Sequence, residues 1–469
     1  MFIGRRSLIA AGAGALVAAG LPHSFAATRE LRLAAGPTRA KLVGDGHPAT
    51  DVWAYNGAVP GPVLRFRQGE RARIVVENRL PQPTSVHWHG LRVPNAMDGV
   101  PDLTQPPIAP GESFAYEFDL HDAGTYWYHP HANSAEQVGR GLAGAIVVEE
   151  SQPPAVDRDL LWVLDDWRLD RGARIADDFG HPRDASHAGR MGNTVTFNGA
   201  VPDSLEVRAG ERMRLRLVNV ANARIFGLRL EGHAPYVIAR DGQPVDPYPV
   251  RGGMIVLAPG ERCDLIVDMH GEPGERFAVI DAFYPQAAYR LVELVYAASA
   301  RGARAPAAPP ARLPDNPWKR PDTSGARRER IVIEGGMMGG FRGARLDGRQ
   351  LDARALFQQG KMWALNGEVA GDHHQMAPLL TLRRGESVVV ELVNDSVWNH
   401  PMHLHGMFFE VLSLDGVAPP RREFRDTLTL GPRGRAETAF RADAPGDWMF
   451  HCHVLEHQDS GLMGIVRVT

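Results

Sequence analysis

The stretch Tyr55–Asn78, YNGAVPGPVLRFRQGERARIVVEN, decides the fold, because the chain repeats its pattern twice more. Residues 197–219 read FNGAVPDSLEVRAGERMRLRLVN, and residues 365–394 read LNGEV, then an insert, then PLLTLRRGESVVVELVN. Each copy has Asn-Gly, a short strand-like run, a Gly-Glu turn and a second run that ends in Asn. In the first copy Ile74 and Val76 alternate with Arg73, Val75 and Glu77, which is the period of a half-buried strand. The repeat predicts three small β-sandwiches in tandem.

Length and composition agree with three β domains. A chain of 469 residues suggests about three domains at roughly 150 residues each. The 50 Gly and 36 Pro favour many turns and short strands, so we expect an all-β Greek-key fold. We place the domains at residues 27–153, 154–300 and 328–469, with a linker rich in Ala, Pro and Arg at 301–327.

The first 26 residues have the features of an export signal. Arg5 and Arg6 precede an apolar run that ends at Gly20, and Ser24 and Ala26 are small residues at the positions that a signal peptidase reads. The paired arginines are typical of a twin-arginine signal, which carries a folded protein to the periplasm or beyond. The run is shorter than the ~20 apolar residues of a membrane span, so we expect no span in the mature chain.

The net charge indicates which classes of partner to expect, and the two cysteines have different expected states. The formal net charge is only −3, without a basic patch or charged tail, so we expect small or weakly charged partners and no nucleic acid. Of the two cysteines, Cys263 lies in a strand-like run, where a lone buried thiol is the expected state. Cys452 lies among histidines, which indicates a metal ligand rather than half of a disulfide.

Ten of the 19 histidines fall into four tight clusters. The clusters are His87-Trp88-His89, His129-Pro130-His131, His400-Pro401-Met402-His403-Leu404-His405, and His451-Cys452-His453 with His457. On a strand, residues i and i+2 face the same way. Each His-x-His pair therefore predicts two imidazoles on one face, placed to bridge neighbouring metal ions.

The fourth cluster is the most informative. If His451-Cys452-His453 is a strand, both imidazoles point one way and the thiolate points the other. Metal ions on the two sides would then be joined through Cys452 by a few covalent bonds. The remaining histidines, His400 and His457, complete a His₂Cys set with Cys452, the set that selects blue copper.

The clusters also follow the sequence repeat. His87-Trp88-His89-Gly90 matches His403-Leu404-His405-Gly406, and the run from Gly124 to His131 matches the run from Gly446 to His453. The second copy has no His-x-His at either place. This pattern predicts a metal cluster between the first and third sandwiches, with the second as a spacer.

The four motifs, in this order, resemble the signature of three-domain multicopper oxidases, the laccase-like group with cupredoxin domains. The resemblance covers essentially the whole mature chain. It implies three cupredoxin-like Greek-key sandwiches and four copper ions, one type 1, one type 2 and two type 3. It also implies an enzyme that takes single electrons from a small-molecule or metal-ion reductant and reduces O₂ to water.

The resemblance further implies a ligand set of ten histidines and one cysteine. The set is His400, Cys452 and His457 for type 1 copper, His87 and His403 for type 2 copper, and, for the type 3 pair, His89, His129 and His453 on one ion with His131, His405 and His451 on the other. In this family Cys452 would connect the type 1 site to the other three ions.

Three positions near the motifs modify this expectation. The family's axial position on type 1 copper lies ten residues after the cysteine, at Leu462, which cannot ligate; Met463 is the alternative. Asp98 matches a carboxylate that relatives place near the cluster to supply protons for O₂ reduction; the alternative is an ordinary turn Asp. Many bacterial relatives have a second carboxylate where this chain has Gln458.

The reductant is the least determined feature of the sequence. Relatives that oxidise cuprous ion carry Asp and Met just before the first type 1 histidine, and this chain has Ser396 and Trp398 there. Of its methionines, only Met337-Met338 form a pair, and His373-His374 is expected in a solvated loop. We therefore expect a phenolic reductant, with cuprous or ferrous ion as the alternative. A copper-free protein of cell-envelope assembly and a copper carrier are less compatible with an intact ligand set.

Overall fold

The computed structural model describes residues 28–250, 253–298, 308–371 and 376–469. The predicted signal peptide at residues 1–26, the first part of the predicted linker and His373-His374 lie outside the described residues. Among the described residues, no helix is long and apolar enough to span a membrane.

Two four-stranded sheets, drawn from residues 28–149, form the first sandwich. Its strands are β1 (Thr28–Ala40), β2 (Thr50–Tyr55), β3 (Gly61–Arg67), β4 (Arg71–Asn78), β5 (His87–His89), β6 (Ser113–Asp119), β7 (Gly124–His129) and β8 (Gly144–Glu149). The strand orders are β2-β1-β4-β6 and β3-β8-β7-β5. The aromatic and aliphatic side chains between the two sheets, among them Trp88 and Tyr116, form its core.

A six-stranded and a five-stranded sheet, drawn from residues 158–296, form the second sandwich. Its strands are β9 (Arg158–Trp167), β10 (Thr194–Phe197), β11 (Ser204–Val207), β12 (Arg212–Asn219), β13 (Phe226–Leu230), β14 (Tyr236–Arg240), β15 (Gln243–Pro249), β16 (Ile255–Leu257), β17 (Arg262–Asp268), β18 (Arg276–Asp281) and β19 (Tyr289–Tyr296). The orders are β10-β9-β12-β17-β14-β15 and β11-β19-β18-β13-β16. Cys263 is buried in its core as a free thiol, as predicted.

The third sandwich pairs a six-stranded and a five-stranded sheet from residues 327–468. Its strands are β20 (Arg327–Gly335), β21 (Gly343–Leu346), β22 (Arg349–Asp352), β23 (Trp363–Leu365), β24 (Leu380–Leu382), β25 (Ser387–Asn394), β26 (His400–Leu404), β27 (Phe409–Leu414), β28 (Phe424–Arg425), β29 (Thr427–Leu430), β30 (Arg435–Arg441), β31 (Gly446–Cys452) and β32 (Met463–Val468). The orders are β23-β20-β25-β30-β27-β28 and β24-β32-β31-β26-β29, with β21 and β22 as a separate hairpin. The prediction of an all-β fold with three sandwiches is confirmed.

The repeated sequence has one structural role in all three copies. Its alternating run becomes β4, β12 or β25, each of which pairs in parallel with the first strand of its sandwich. The Asn that begins each copy, Asn56, Asn198 or Asn366, has a φ of 50–53°. Its side chain accepts a backbone N–H of that first strand at 2.7–2.8 Å. Asparagine suits this turn because it tolerates the left-handed region and bonds the neighbouring backbone.

In the described part of the chain four short α-helices lie between the strands, and three of them meet where the sandwiches join. The helices are α1 (Ser134–Gly139), α2 (Pro182–Ser186), α3 (Ala353–Gln358) and α4 (Leu455–Asp459). Helix α4 carries His457 and packs against both α1 and α2, which belong to the other two sandwiches. The described part of the predicted linker, from residue 308, contains no helix or strand before β20, but it is docked: Asn316 is buried and bonds the main chain of Ala123.

Candidate metal centre

The four histidine clusters converge between the first and third sandwiches. Strands β5 and β7 pair with His87 opposite His129, and strands β26 and β31 pair with His403 opposite His451. These two strand pairs face each other, so that the His87 and His403 rings lie 5.7 Å apart. The prediction of a histidine cluster at this interface follows from the repeat, because equivalent strands of two similar sandwiches meet there.

Eight imidazoles in this cluster form three groups whose ring nitrogens lie within 4.8 Å of one another. The groups are His87, His89 and His403; His89, His129 and His453; and His131, His405 and His451. All of these side chains are buried. These eight histidines are the ones that the resemblance implies for the type 2 and type 3 ions. The groupings also agree, except that His89 belongs to two of the groups.

The hydrogen bonds of these histidines leave one nitrogen of each ring directed into the cluster. Nδ1 donates to a main-chain oxygen in His87 at 2.8 Å, His129 at 3.0 Å and His403 at 2.9 Å. Their Nε2 atoms are buried without a hydrogen-bond partner in the described part of the chain. Buried polar atoms are rarely left unpaired, so convergent free imidazole nitrogens fit bound metal ions.

The fourth group is the His₂Cys set. Nδ1 of His400 lies 3.4 Å from Sγ of Cys452, Nδ1 of His457 lies 3.7 Å from the same sulfur, and the two nitrogens are 3.2 Å apart. Ligands around a first-row metal ion with bonds of about 2.0–2.3 Å have similar separations. The other nitrogens are fixed by Oγ of Ser396 at 2.9 Å and by the carbonyl of His187 at 2.7 Å.

Burial prepares both groups for a metal ion rather than for protons. It lowers the pKa of seven of these imidazoles well below the usual range, and that of His457 to about 3; the seven are His89, His129, His131, His400, His405, His451 and His453. These histidines are therefore neutral at physiological pH, which leaves a lone pair on each for a metal. Burial raises the pKa of the Cys452 thiol, so that its thiolate requires a neighbouring cation such as a metal ion.

Leu462 and Met463 lie in different environments. Leu462 is fully buried in the same hydrophobic cluster as Cys452, and its carbonyl accepts the backbone N–H of Cys452 at 3.1 Å. Met463 begins β32 and lines a surface groove with Met376 and Leu379. The arrangement favours Leu462 as the neighbour of the His₂Cys set.

Asp98 is fully buried beside two histidines of the cluster. Its Oδ2 accepts Nδ1–H of His405 at 2.7 Å, and its Oδ1 lies 3.3 Å from Nδ1 of His87. Because the His87 hydrogen bond goes to the main-chain oxygen of Asp98, Oδ1 makes no hydrogen bond in the described residues. Asp98 therefore orients His405 and keeps one carboxylate oxygen that can hold a proton.

The position of the second family carboxylate is filled by a neutral side chain. Nε2 of Gln458 donates to Oγ of Ser134 at 3.2 Å. The nearest acids on the same helix are Glu456 and Asp459, and burial raises the pKa of both, that of Asp459 to about 7. Glu456 accepts the backbone N–H of Arg190 at 2.9 Å. Sequence reasoning did not find these acids, because their burial depends on helices of other domains.

A charged network formed by residues of the second and third sandwiches supports the cluster, and no sequence motif indicated it. Asp426 accepts Nε2–H of His89 at 3.2 Å, which leaves Nδ1 of that ring for the cluster. Arg262, from β17, donates to both carboxylate oxygens of Asp426 at 2.7 and 2.6 Å. Burial opposes the ionisation of Asp426, but Arg262 outweighs it and holds the pKa of that carboxyl below its usual range. The second sandwich is therefore more than a spacer.

Comparisons with known proteins agree with this geometry. Three family models, each described as multicopper oxidase, match residues 38–153, 158–298 and 350–469. The multicopper oxidase MmcO of Mycobacterium tuberculosis is 30% identical over 94% of this chain and 87% of its own length.

Solved structures give the same result. A multi-copper oxidase from Pseudomonas thermotolerans is 37% identical and superposes with a TM-score of 0.82, covering 95% of this chain and all of that one. A laccase-like multi-copper oxidase, CueO, from the lignin-degrading bacterium Ochrobactrum sp. is 28% identical with a TM-score of 0.78, over 96% of this chain and all of its own. Together with the histidine groups, these matches show that the chain belongs to the multicopper oxidase family, oxidoreductases that carry four copper ions and use O₂.

Proposed function

We propose that the reductant of this oxidase is a small phenol and that the four groups hold its copper ions as the sequence predicts. His400, Cys452 and His457 would hold the type 1 ion, and Leu462, which packs beside this group, would offer it no ligand atom. The type 2 ion takes His87 and His403. The type 3 ligands are His89, His129 and His453 for one ion, and His131, His405 and His451 for the other.

The chain itself connects the two parts of this centre. When bound, the copper ions supply one-electron redox chemistry and the reduction of O₂. Cys452 belongs to the His₂Cys group, while its covalent neighbours His451 and His453 belong to the histidine cluster. The shortest link between the two groups is therefore a few covalent bonds of one segment, which is held in register by β26.

The buried residues around the cluster also control water and protons. The eight clustered histidines and Asp98 are buried, so these side chains shield the cluster from bulk water. Reduction of O₂ consumes protons, and Oδ1 of Asp98 is the acidic oxygen beside the cluster without a hydrogen bond in the described residues. We assign it the role of holding a proton at that place.

The single observation that carries the phenol proposal is the side chain at position 398. Relatives that oxidise cuprous ion have soft or acidic ligands before the first type 1 histidine, but here Ser396 bonds His400 and Trp398 is partly exposed. An indole ring offers an aromatic face and no lone pair for a metal ion. The Ochrobactrum enzyme is described with oxidase activity towards lignin model compounds, which supports an aromatic reductant.

Steady-state O₂ uptake tests this proposal. We expect kcat/KM for the best member of a phenol panel that includes 2,6-dimethoxyphenol to exceed kcat/KM for Cu(I) and Fe(II) by about tenfold or more. Fully copper-loaded enzyme needs no added copper for phenols, and copper-depleted protein serves as the control for non-enzymatic oxidation. If the enzyme turned over Cu(I) more efficiently than every phenol, the phenol proposal would be rejected. The assignment as a multicopper oxidase would still stand.

One observation favours the alternative of cuprous ion oxidation. Met337 and Met338 are 43% and 69% exposed, and Met338 has a φ of 67°, a conformation that side chains rarely adopt. Thioethers are ligands for soft cations. The two thioethers lie at an exposed turn rather than at the His₂Cys group itself, so we rank this function second.

The axial residue gives a separate prediction. Leu462 has no lone pair, whereas a thioether stabilises the oxidised type 1 ion, so Leu462→Met should lower the type 1 potential. We expect a decrease of about 60 mV or more, a tenfold change in a one-electron equilibrium. The matched control is Met463→Leu, which should leave the potential unchanged because Met463 lines the outer groove. A redox titration in which only the Met463 variant shifts would exchange the two assignments.

A further inference from the structure

A segment of the second sandwich covers the His₂Cys group. We call residues 178–192, which include α2, the cap. The carbonyl of His187 accepts Nε2–H of His457 at 2.7 Å, and the carbonyl of Ala185 accepts Nε1–H of Trp363 at 2.7 Å. Trp363 packs on both histidines of the group. The relative exposure of His457 is 0%, so a reductant in solution cannot touch it.

Ionic bonds at both ends hold the cap in place. At its first end Arg168 donates to Asp178 at 2.8 Å and to Asp184 at 2.7 and 3.0 Å. At its other end the buried Arg190 donates its backbone N–H to Glu456, the residue before His457, and its guanidinium pairs with Asp178. Charged hydrogen bonds between partly buried groups are among the stronger ones. The cap is therefore a fixed cover, and access to His457 by opening it would break several such bonds.

Two aromatic rings form the outer side of this cover. The imidazole of His187 packs against the indole of Trp398, with ring centroids 5.1 Å apart. Nε1 of Trp398 donates to the carbonyl of Met337 at 3.0 Å, which fixes the indole at the edge of the cap. Both rings are partly exposed.

Each ring is connected to one imidazole of the His₂Cys group. The main chain of His187 bonds His457 directly. Trp398 is two residues before His400 on the same chain segment, and Oγ of Ser396 joins the Trp398 backbone N–H at 3.1 Å and the His400 ring at 2.9 Å. Electrons that arrive at this ring pair therefore reach both imidazoles through short covalent and hydrogen-bonded links.

We propose that electrons enter this enzyme across the cap, at the His187–Trp398 ring pair, and that the reductant is a planar aromatic molecule stacked on that pair. This inference rests on the proposed phenol oxidase function and deepens it. One phenol gives one electron to the enzyme and its hydroxyl proton to solvent, and it leaves as a phenoxyl radical. The O₂ of the family's reaction is the final electron acceptor.

The ring pair selects the reductant by shape rather than by ligand chemistry. Aromatic rings attract one another in offset or edge contacts, and these contacts add to the burial of apolar surface. A hydrated metal ion makes no interaction with an uncharged indole that is as specific as these aromatic contacts. Trp398 is accordingly a specificity-determining residue, and its effect should appear in KM more than in kcat.

The test compares Trp398→Leu with Trp398→Phe in copper-loaded enzyme. We expect Leu to raise KM for 2,6-dimethoxyphenol by about tenfold, the value of one good aromatic contact, and Phe to restore most of it. The type 1 absorption band and potential should be unchanged in both variants. Oxidation of hexacyanoferrate(II), which cannot stack, should be equally fast in all three proteins.

Two outcomes would overturn the inference. The first is an unchanged KM for phenols in Trp398→Leu, or the same loss for hexacyanoferrate(II) as for phenols. The second is a Trp398→Phe variant whose KM for phenols stays as high as that of Trp398→Leu. Failure of the phenol function itself gives a different result, because wild-type enzyme would then oxidise no phenol efficiently.

Discussion

Replacing Cys452 with Ser should abolish both the intense blue absorption and the oxidase activity. A serine hydroxyl is a hard, weak ligand, and the charge-transfer band of blue copper requires a thiolate. Activity should fall to the background of the assay, because the link between the His₂Cys group and the histidine cluster begins at this sulfur. The histidine cluster should still bind copper, because His451 and His453 keep their own contacts. Copper analysis should therefore find about three ions per chain rather than four.

Cys263 provides a matched control for this variant. It is the other cysteine of the chain, equally buried, and burial raises the pKa of its thiol to about 12. Cys263→Ser should leave the blue band and the copper content unchanged. A Cys452→Ser protein that remains blue would remove Cys452 from the type 1 site, whatever its activity.

The histidine groups could be predicted from the sequence because the direction of the two rings in each His-x-His pair is a local property. A His-x-His pair on a strand fixes the relative direction of two rings, and the repeat relates the strands of the first and third sandwiches. The structure differs in detail: β31 ends at Cys452, so that His453 lies just beyond the strand. Its imidazole nevertheless joins the group of His89 and His129.

The supporting residues could not be predicted, because they depend on contacts between distant parts of the chain. Asp426 is 337 residues from His89, and His187 is 270 residues from His457. Neither belongs to a motif with fixed spacing, and their roles arise only when the three sandwiches pack against one another. A second repeat without His-x-His pairs therefore indicates a spacer, while the structure shows that Arg262 of this domain holds Asp426 beside His89 and that its cap covers the His₂Cys group.

We propose two roles for Asp98, and a single substitution can separate them. Its Oδ2 holds the His405 ring, which is a positioning role, and its Oδ1 is an acidic oxygen without a hydrogen bond in the described residues. Asparagine keeps an oxygen that can accept the His405 bond but cannot deliver an acidic proton. Because Gln458 also lacks an acidic proton, the chain has no carboxyl group at the family's second position to compensate.

Asp98→Asn should consequently slow the reoxidation of reduced enzyme by O₂ by about 100-fold, the lower range of a general-acid contribution. Reduction by a phenol should be nearly unaffected, since Asp98 lies at the histidine cluster and not at the His₂Cys group. Stopped-flow measurements that follow the blue band during each half-reaction separate the two rates. The matched control is Asp102→Asn, because Asp102 is exposed and has a φ of 61°, which asparagine tolerates well. If both half-reactions slowed equally, the role of Asp98 would be structural alone. The reason is that loss of a proton donor at the cluster cannot impede electron uptake at the opposite end of the copper centre.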